Sequence, residues 1–206
     1  MNIKQLTASG LMVAGLALGG SALAQSQDSG FYIGTGVGYA SYDLETPAVA
    51  GLRTFSSDNS GTGWKIFAGY QITRNWGVEA GYVDFGSIGF NGTAAAGAVT
   101  GTFAGSVDVS AWTLALTGTM PINQDWDLTG KVGAYNWRTN NASGTVSVPG
   151  VGTAAIAAGN DSGTDVLVGI GVRYNINKNL GIHADWEYFG GNDTINFFSV
   201  GLRYKF

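Results

Sequence analysis

Apolar and polar residues alternate along much of this chain with a period of two, and the clearest run is the last. Phe198, Val200, Leu202, Tyr204 and Phe206 fall on one side, and Phe197, Ser199, Gly201, Arg203 and Lys205 on the other. Such alternation predicts a strand with one apolar and one polar face. Chain ends are ordinarily loose and polar, so a regular strand running to the final carboxylate predicts a terminus with a role of its own.

Seven earlier segments carry the same pattern. Residues 31–42 set Phe31, Ile33, Val37 and Tyr39 against Gly34, Gly36, Gly38 and Ala40. Residues 63–72 put Trp64, Ile66, Ala68 and Tyr70 on the apolar face, and the next segment sets Trp76, Val78, Ala80 and Tyr82 against Gly77, Glu79 and Gly81. Residues 109–120 show Trp112, Leu114 and Leu116, residues 126–137 show Trp126, Leu128 and Val132, residues 165–176 show Val166, Val168, Ile170 and Val172, and residues 180–189 show Leu180, Ile182 and Trp186. Tight turns are expected at 73–75, 121–125 and 177–179, and long connections at 43–62, 87–106 and 138–164, with a short fourth connection near 190–194. Short turns on one side and long loops on the other are the asymmetry of an outer-membrane barrel, with the turns facing the periplasm. The expected fold is all-β, an eight-stranded antiparallel up-and-down transmembrane β-barrel. Loops two and three, rich in Gly, Ala, Thr, Ser and Val, read as flexible segments or as hairpins rising above the membrane.

Composition strengthens this reading. Only 12% of residues are charged, against roughly 25% in soluble domains, and the 34 glycines exceed twice the usual share. The amino terminus reads as a signal peptide over residues 1–24. Lys4 is its positive region, Leu11 to Leu18 its short apolar stretch and Ala22-Leu23-Ala24 its cleavage site. That stretch is too short to span a bilayer as a helix, and no later segment offers 18 consecutive apolar residues, so the membrane solution left is a closed barrel. Residues 25–206 have the length of one domain, the barrel itself. With no cysteine, stability is expected from pairing and packing alone. The net charge of -4 and the scattered basic residues give no footprint for nucleic acid.

Charge concentrates on the inward face. Lys65, Glu79, Lys131, Arg173, Asp185, Glu187 and Arg203 are expected to form a polar network in the lumen, with Glu79, Asp185 and Glu187 as partners of the four cations. An eight-stranded barrel is filled by side chains, so a plugged interior is expected. The inward glycines of the first strand are expected to make room for long neighbours such as Phe67 or Arg203. His183, the one histidine, stands beside Asp185 and Glu187, but no serine nucleophile accompanies it and one His with two carboxylates is an incomplete ligand set. No catalytic, cofactor or metal site is expected. Trp76, Trp126, Tyr174 and Tyr204 are expected in the periplasmic aromatic girdle, and Tyr39, Tyr42, Trp64, Phe85, Tyr188 and Phe198 in the outer one.

The segments Gly30-Phe31-Tyr32-Ile33-Gly34, Val78 to Gly86 and Val200 to Phe206 resemble the OmpA-like outer-membrane β-barrel family across nearly all of residues 25–206. The resemblance implies an eight-stranded barrel in the outer membrane of a Gram-negative bacterium, in contact with membrane lipid and lipopolysaccharide. It is attended in transit by periplasmic chaperones and the barrel-assembly machinery. Larger members carry a peptidoglycan-binding domain after the barrel, which is not read in this sequence. The resemblance also implies that Gly201, Tyr204 and Phe206 match a terminal assembly signal. The role expected is structural, stabilising the envelope and presenting surface loops to a ligand. The alternative is a narrow conduit for small or hydrophobic solutes, similar to the OmpW family.

Overall fold

The computed structural model describes residues 29–43, 52–57, 59–96, 99–157, 161–191 and 194–206. The expected signal peptide lies outside the described residues. Within them the chain forms β1 (Gly30–Asp43), β2 (Leu52–Ser57), β3 (Ser60–Gln71), β4 (Trp76–Ala96), β5 (Val99–Pro121), β6 (Trp126–Val148), β7 (Gly152–Ala157), β8 (Ser162–Asn175), β9 (Leu180–Phe189) and β10 (Thr194–Lys205).

Eight of these strands close into a ring, β1-β3-β4-β5-β6-β8-β9-β10 and back to β1, with every neighbour antiparallel. Closure leaves no strand edge open to lipid, which a membrane sheet requires. The seam pairs the first strand with the last, Gly36 opposite Gly201 and Val37 opposite Val200.

The three tight turns share one design. In each, a backbone amide closes the hairpin, Ile72 N–H to Trp76 O, Ile122 N–H to Trp126 O and Ile176 N–H to Leu180 O, at 2.8 to 2.9 Å. A side-chain oxygen then accepts two amides of the turn. Thr73 Oγ1 serves Asn75 and Trp76, Asn123 Oδ1 serves Asp125 and Trp126, and Asn177 Oδ1 serves Asn179 and Leu180. Thr and Asn are apt here because a short side chain can satisfy backbone donors that the turn leaves unpaired.

At the other end the strands run past the membrane. A tilted strand crosses with about 9–11 residues, whereas β4, β5 and β6 have 21, 23 and 23. Segment 87–106 is therefore mostly a hairpin of β4 and β5, and residues 138–148 continue β6. The small strands β2 and β7 add to the flanks, giving a surface sheet in the order β2-β4-β5-β6-β7. A bulge at Asp84/Ser87 re-aims β4 where it leaves the barrel. Gly86 sits in it with φ of 82°, a left-handed conformation that favours glycine, and its N–H donates to Asp84 Oδ1 at 2.8 Å.

Alternation sorts the faces as the sequence pattern implies. Ile33, Val37, Ile66, Leu114, Val132, Val168, Ile170, Val200 and Leu202 point out, and so do Trp76, Trp126, Tyr174 and Tyr204 at the turn end. The outer girdle needs correction. Tyr39, Trp64 and Phe198 are exposed on the outside, but Tyr42 and Phe85 are buried in the lumen. Their parity explains it, since Tyr42 shares a face with Ala40 and Phe85 with Val83, both buried. Tyr42 donates its hydroxyl to Phe85 O at 2.8 Å. Tyr42→Phe is accordingly expected to lose about 1 kcal/mol of unfolding free energy in a urea titration. A girdle residue would lose nothing.

Candidate functional site in the barrel lumen

The lumen holds two tiers. The ionic tier begins at Lys65, 2% exposed, which β3 points inward at the level of Gly36. Its ammonium lies 2.7 Å from Asp185 Oδ2 and 2.5 Å from Glu187 Oε2. Glu187 uses its other oxygen on Lys131, at 3.0 Å, and Lys131 reaches Glu79 at 2.8 Å. Glu79 in turn accepts the Tyr32 hydroxyl at 3.2 Å, and the Arg203 guanidinium lies 3.8 Å from the centre of the Tyr32 ring. His183 joins at the far end, Nδ1 being 2.9 Å from Asp185 Oδ2 and Nε2 3.3 Å from Thr35 O. One continuous chain of contacts thus crosses the barrel from β9 through β3, β6 and β4 to β1 and β10.

The partners differ from the simplest assignment. Glu79, Asp185 and Glu187 are all taken up by the two lysines. Arg173 faces Asp127 instead, at 3.6 Å, and Asp127 also accepts Asn175 Nδ2 at 2.9 Å. Asp127 lies on the inward face of its strand, but nothing in its spacing from Arg173, on a different strand, marks the pairing. Arg203 has an aromatic face rather than a carboxylate as its contact. Phe67 lies amid the network, its ring centre 5.8 Å from Lys65 Nζ, 5.7 Å from Lys131 Nζ and 5.3 Å from the His183 ring. Gly34 makes room for it, because a Cβ there would overlap the Phe67 ring.

The second tier, toward the long hairpins, is apolar. Phe85, Phe189, Phe197 and Leu167 are fully buried, with Val83, Ile88, Val109 and Ile195 around them. Phe85 packs edge-on to Phe189 at 4.8 Å and to Phe197 at 5.7 Å, and Tyr135 packs on Phe189 at 5.0 Å. Tyr135 also donates to Gly190 O at 2.8 Å. Such edge-to-face geometry is the favoured one for aromatic rings. A reading that tracked charge passed over this tier, although inward parity at 83, 85, 189 and 197 contains it. Between the tiers and the turn end, a small internal cavity of about 30 Å³ is bordered by Tyr32, Glu79, Lys131 and Arg203. That is room for about one water.

Comparison with known proteins agrees with this architecture. Residues 26–206 match the family model of the OmpA-like transmembrane domain. The chain belongs to that family. It is 27% identical over 209 residues to Outer membrane protein A of Yersinia pseudotuberculosis, covering 97% of this chain and 55% of that protein. The chain thus spans about half the length of the curated relatives it matches. Among solved structures, OprG from Pseudomonas aeruginosa superposes with a TM-score of 0.58 at 15% identity, covering 88% of this chain and 99% of that one. Ail, the attachment invasion locus protein of Yersinia pestis, superposes with a TM-score of 0.50 at 18% identity, covering 85% and 98%. At these identities the structural likeness is one of fold. This OmpA-like protein is an outer-membrane β-barrel of a Gram-negative bacterium, its apolar outer band in contact with membrane lipid.

Proposed function

We propose that this OmpA-like barrel is a closed structural element of the outer membrane that displays the β2-β4-β5-β6-β7 sheet at the cell surface. The observation that supports it most is the aromatic tier. Phe85, Phe189, Phe197 and Leu167 fill the lumen above the ionic tier. An ion crossing there would have to shed its water against hydrocarbon, a cost of several kcal/mol or more without compensating ligands. Loops on a rigid scaffold are where recognition is placed, and the surface sheet extends that scaffold outward. Lipopolysaccharide and a surface ligand are the partners this reading implies.

Purified, refolded protein in a planar lipid bilayer is expected to give no reproducible conductance steps. Regular open steps at low voltage would overturn the closed-barrel reading in favour of a narrow conduit.

For the terminus, we infer that Gly201, Tyr204 and Phe206 are read by the barrel-assembly machinery after periplasmic chaperones deliver the chain. Tyr204 and Phe206 both face outward, their rings edge-on at 5.1 Å, and Phe206 is 69% exposed. An aromatic pair displayed to the surroundings is available for recognition in a way that a packed one is not.

A further inference from the structure

Arg203 is 8% exposed, yet its Nε is buried without a hydrogen-bond partner, and its guanidinium lies over the Tyr32 ring. Buried guanidinium groups ordinarily meet a carboxylate or several acceptors. The nearby acids are committed elsewhere. Glu79 serves Lys131 and Tyr32, and Asp127 serves Arg173 and Asn175.

Below Arg203 the barrel opens into a polar vestibule of about 510 Å³ at the turn end. Its lining includes five cations, Arg74, Arg173, Lys178, Arg203 and Lys205. Against them stand two carboxylates, Asp125 and Asp127. Lysine and arginine side chains of the lining thus outnumber its aspartates, Arg173 and Asp127 being paired with each other, in a chain whose formal net charge is -4. Asn123 and Asn175 add side-chain amides to the wall. A recess whose lining carries an excess of one sign of charge concentrates counter-ions. A guanidinium can donate two parallel N–H bonds to two oxygens of an oxyanion, and several donors converging on one site suit phosphate.

We propose that this periplasmic vestibule binds a phosphate-type oxyanion, with Arg203 as its innermost anchor and Arg74 and Lys178 as rim charges. The phosphate group can be free in the periplasm or borne on a lipid headgroup at the rim. The vestibule lies inside the barrel mouth, which favours the free anion.

The test is an amide chemical-shift titration of the isotope-labelled full chain, refolded in a phosphate-free non-ionic detergent. Inorganic phosphate is one arm, dihexanoyl phosphatidic acid a second, and sodium chloride at matched ionic strength the control. Saturable shifts confined to residues 123–127, 175–181 and 203–205 are expected with inorganic phosphate, and weaker ones with the lipid. Stronger saturation by the lipid would still support the phosphate site and assign the headgroup as its source. Arg203→Gln is expected to weaken binding about tenfold, equivalent to roughly 1.4 kcal/mol. Because Arg203→Gln lies in the packed lumen, Arg74→Gln with Lys178→Gln at the exposed rim is the second variant, expected to weaken binding about threefold. Shifts that rise linearly, that chloride reproduces, or that both variants leave unchanged would overturn the site.

Discussion

Lys65→Met is expected to lower the unfolding free energy of the refolded barrel by about 3–5 kcal/mol, the cost of leaving buried charge uncompensated. Lys65 bridges Asp185 and Glu187, at 2.7 and 2.5 Å. Without it, three carboxylates, Glu79, Asp185 and Glu187, are left with Lys131 and His183 in a closed lumen. Glu187→Gln alone is expected to cost much less, about 1–2 kcal/mol. It removes one of three acids from a cluster with two lysines, and Lys65 keeps Asp185 while Lys131 keeps Glu79. The double variant Lys65→Met/Glu187→Gln should then recover a large part of the loss, because it restores the balance of charge. Urea titrations followed by tryptophan fluorescence measure all three. A Lys65→Met barrel within 0.5 kcal/mol of the parent, at the scale of an ordinary surface substitution, would show that the network does not brace the lumen.

The distinction between that network and its sequence precursor lies in what period two can carry. Parity assigns a face, so Lys65, Glu79, Lys131, Asp185, Glu187 and Arg203 are legible as inward residues without coordinates. Partnership depends on the stagger of strands far apart in sequence, and Lys65 meets Glu187 only after the ring closes through β1 and β10. Asp127 and Arg173 meet because β6 and β8 pair in that register, which nothing local encodes. The sequence leaves loops two and three open between flexible segments and hairpins for another reason. Residues 87–106 and 138–148 are dominated by Gly, Ala, Thr, Ser and Val, whose low side-chain bulk hides alternation, with Ile88, Phe90 and Phe103 as bulky exceptions. There the strands are held by cross-strand cover, as where a Cβ at Gly92 would strike the Phe103 ring and one at Gly105 the Phe90 ring. Phe85 is a third case, because an aromatic near a strand end suits an interfacial girdle, whereas parity with Val83 puts it inside.

Gly201→Ala is expected to lower the unfolding free energy of the barrel by about 3 kcal/mol or more, with the loss visible both in cells and in detergent refolding, whereas loss of Phe206 should impair insertion in cells alone. The two residues belong to the same proposed terminal signal, and the structure gives them different burdens. A Cβ at Gly201 would overlap the Thr35 carbonyl, and it would come 2.7 Å from His183 Nε2. Thr35 O is backbone of β1, so relief requires moving the β1–β10 seam that closes the ring. Overpacking ordinarily costs about 1–3 kcal/mol, and a clash with fixed backbone at the seam belongs at or beyond the upper end. Phe206 contributes one backbone bond, its N–H to Phe31 O at 2.9 Å, and a ring lying against Tyr204 on the outside. Removing a largely exposed ring and one terminal bond costs about 1–2 kcal/mol, which a closed barrel tolerates. Heat-modifiable mobility on gels after refolding without any cellular factor separates the cases. If the chain lacking Phe206 refolds normally yet fails to reach the outer membrane in cells, its ring acts as an address. If it fails equally in both settings, the terminal aromatic is packing, and the recognition role assigned to it falls.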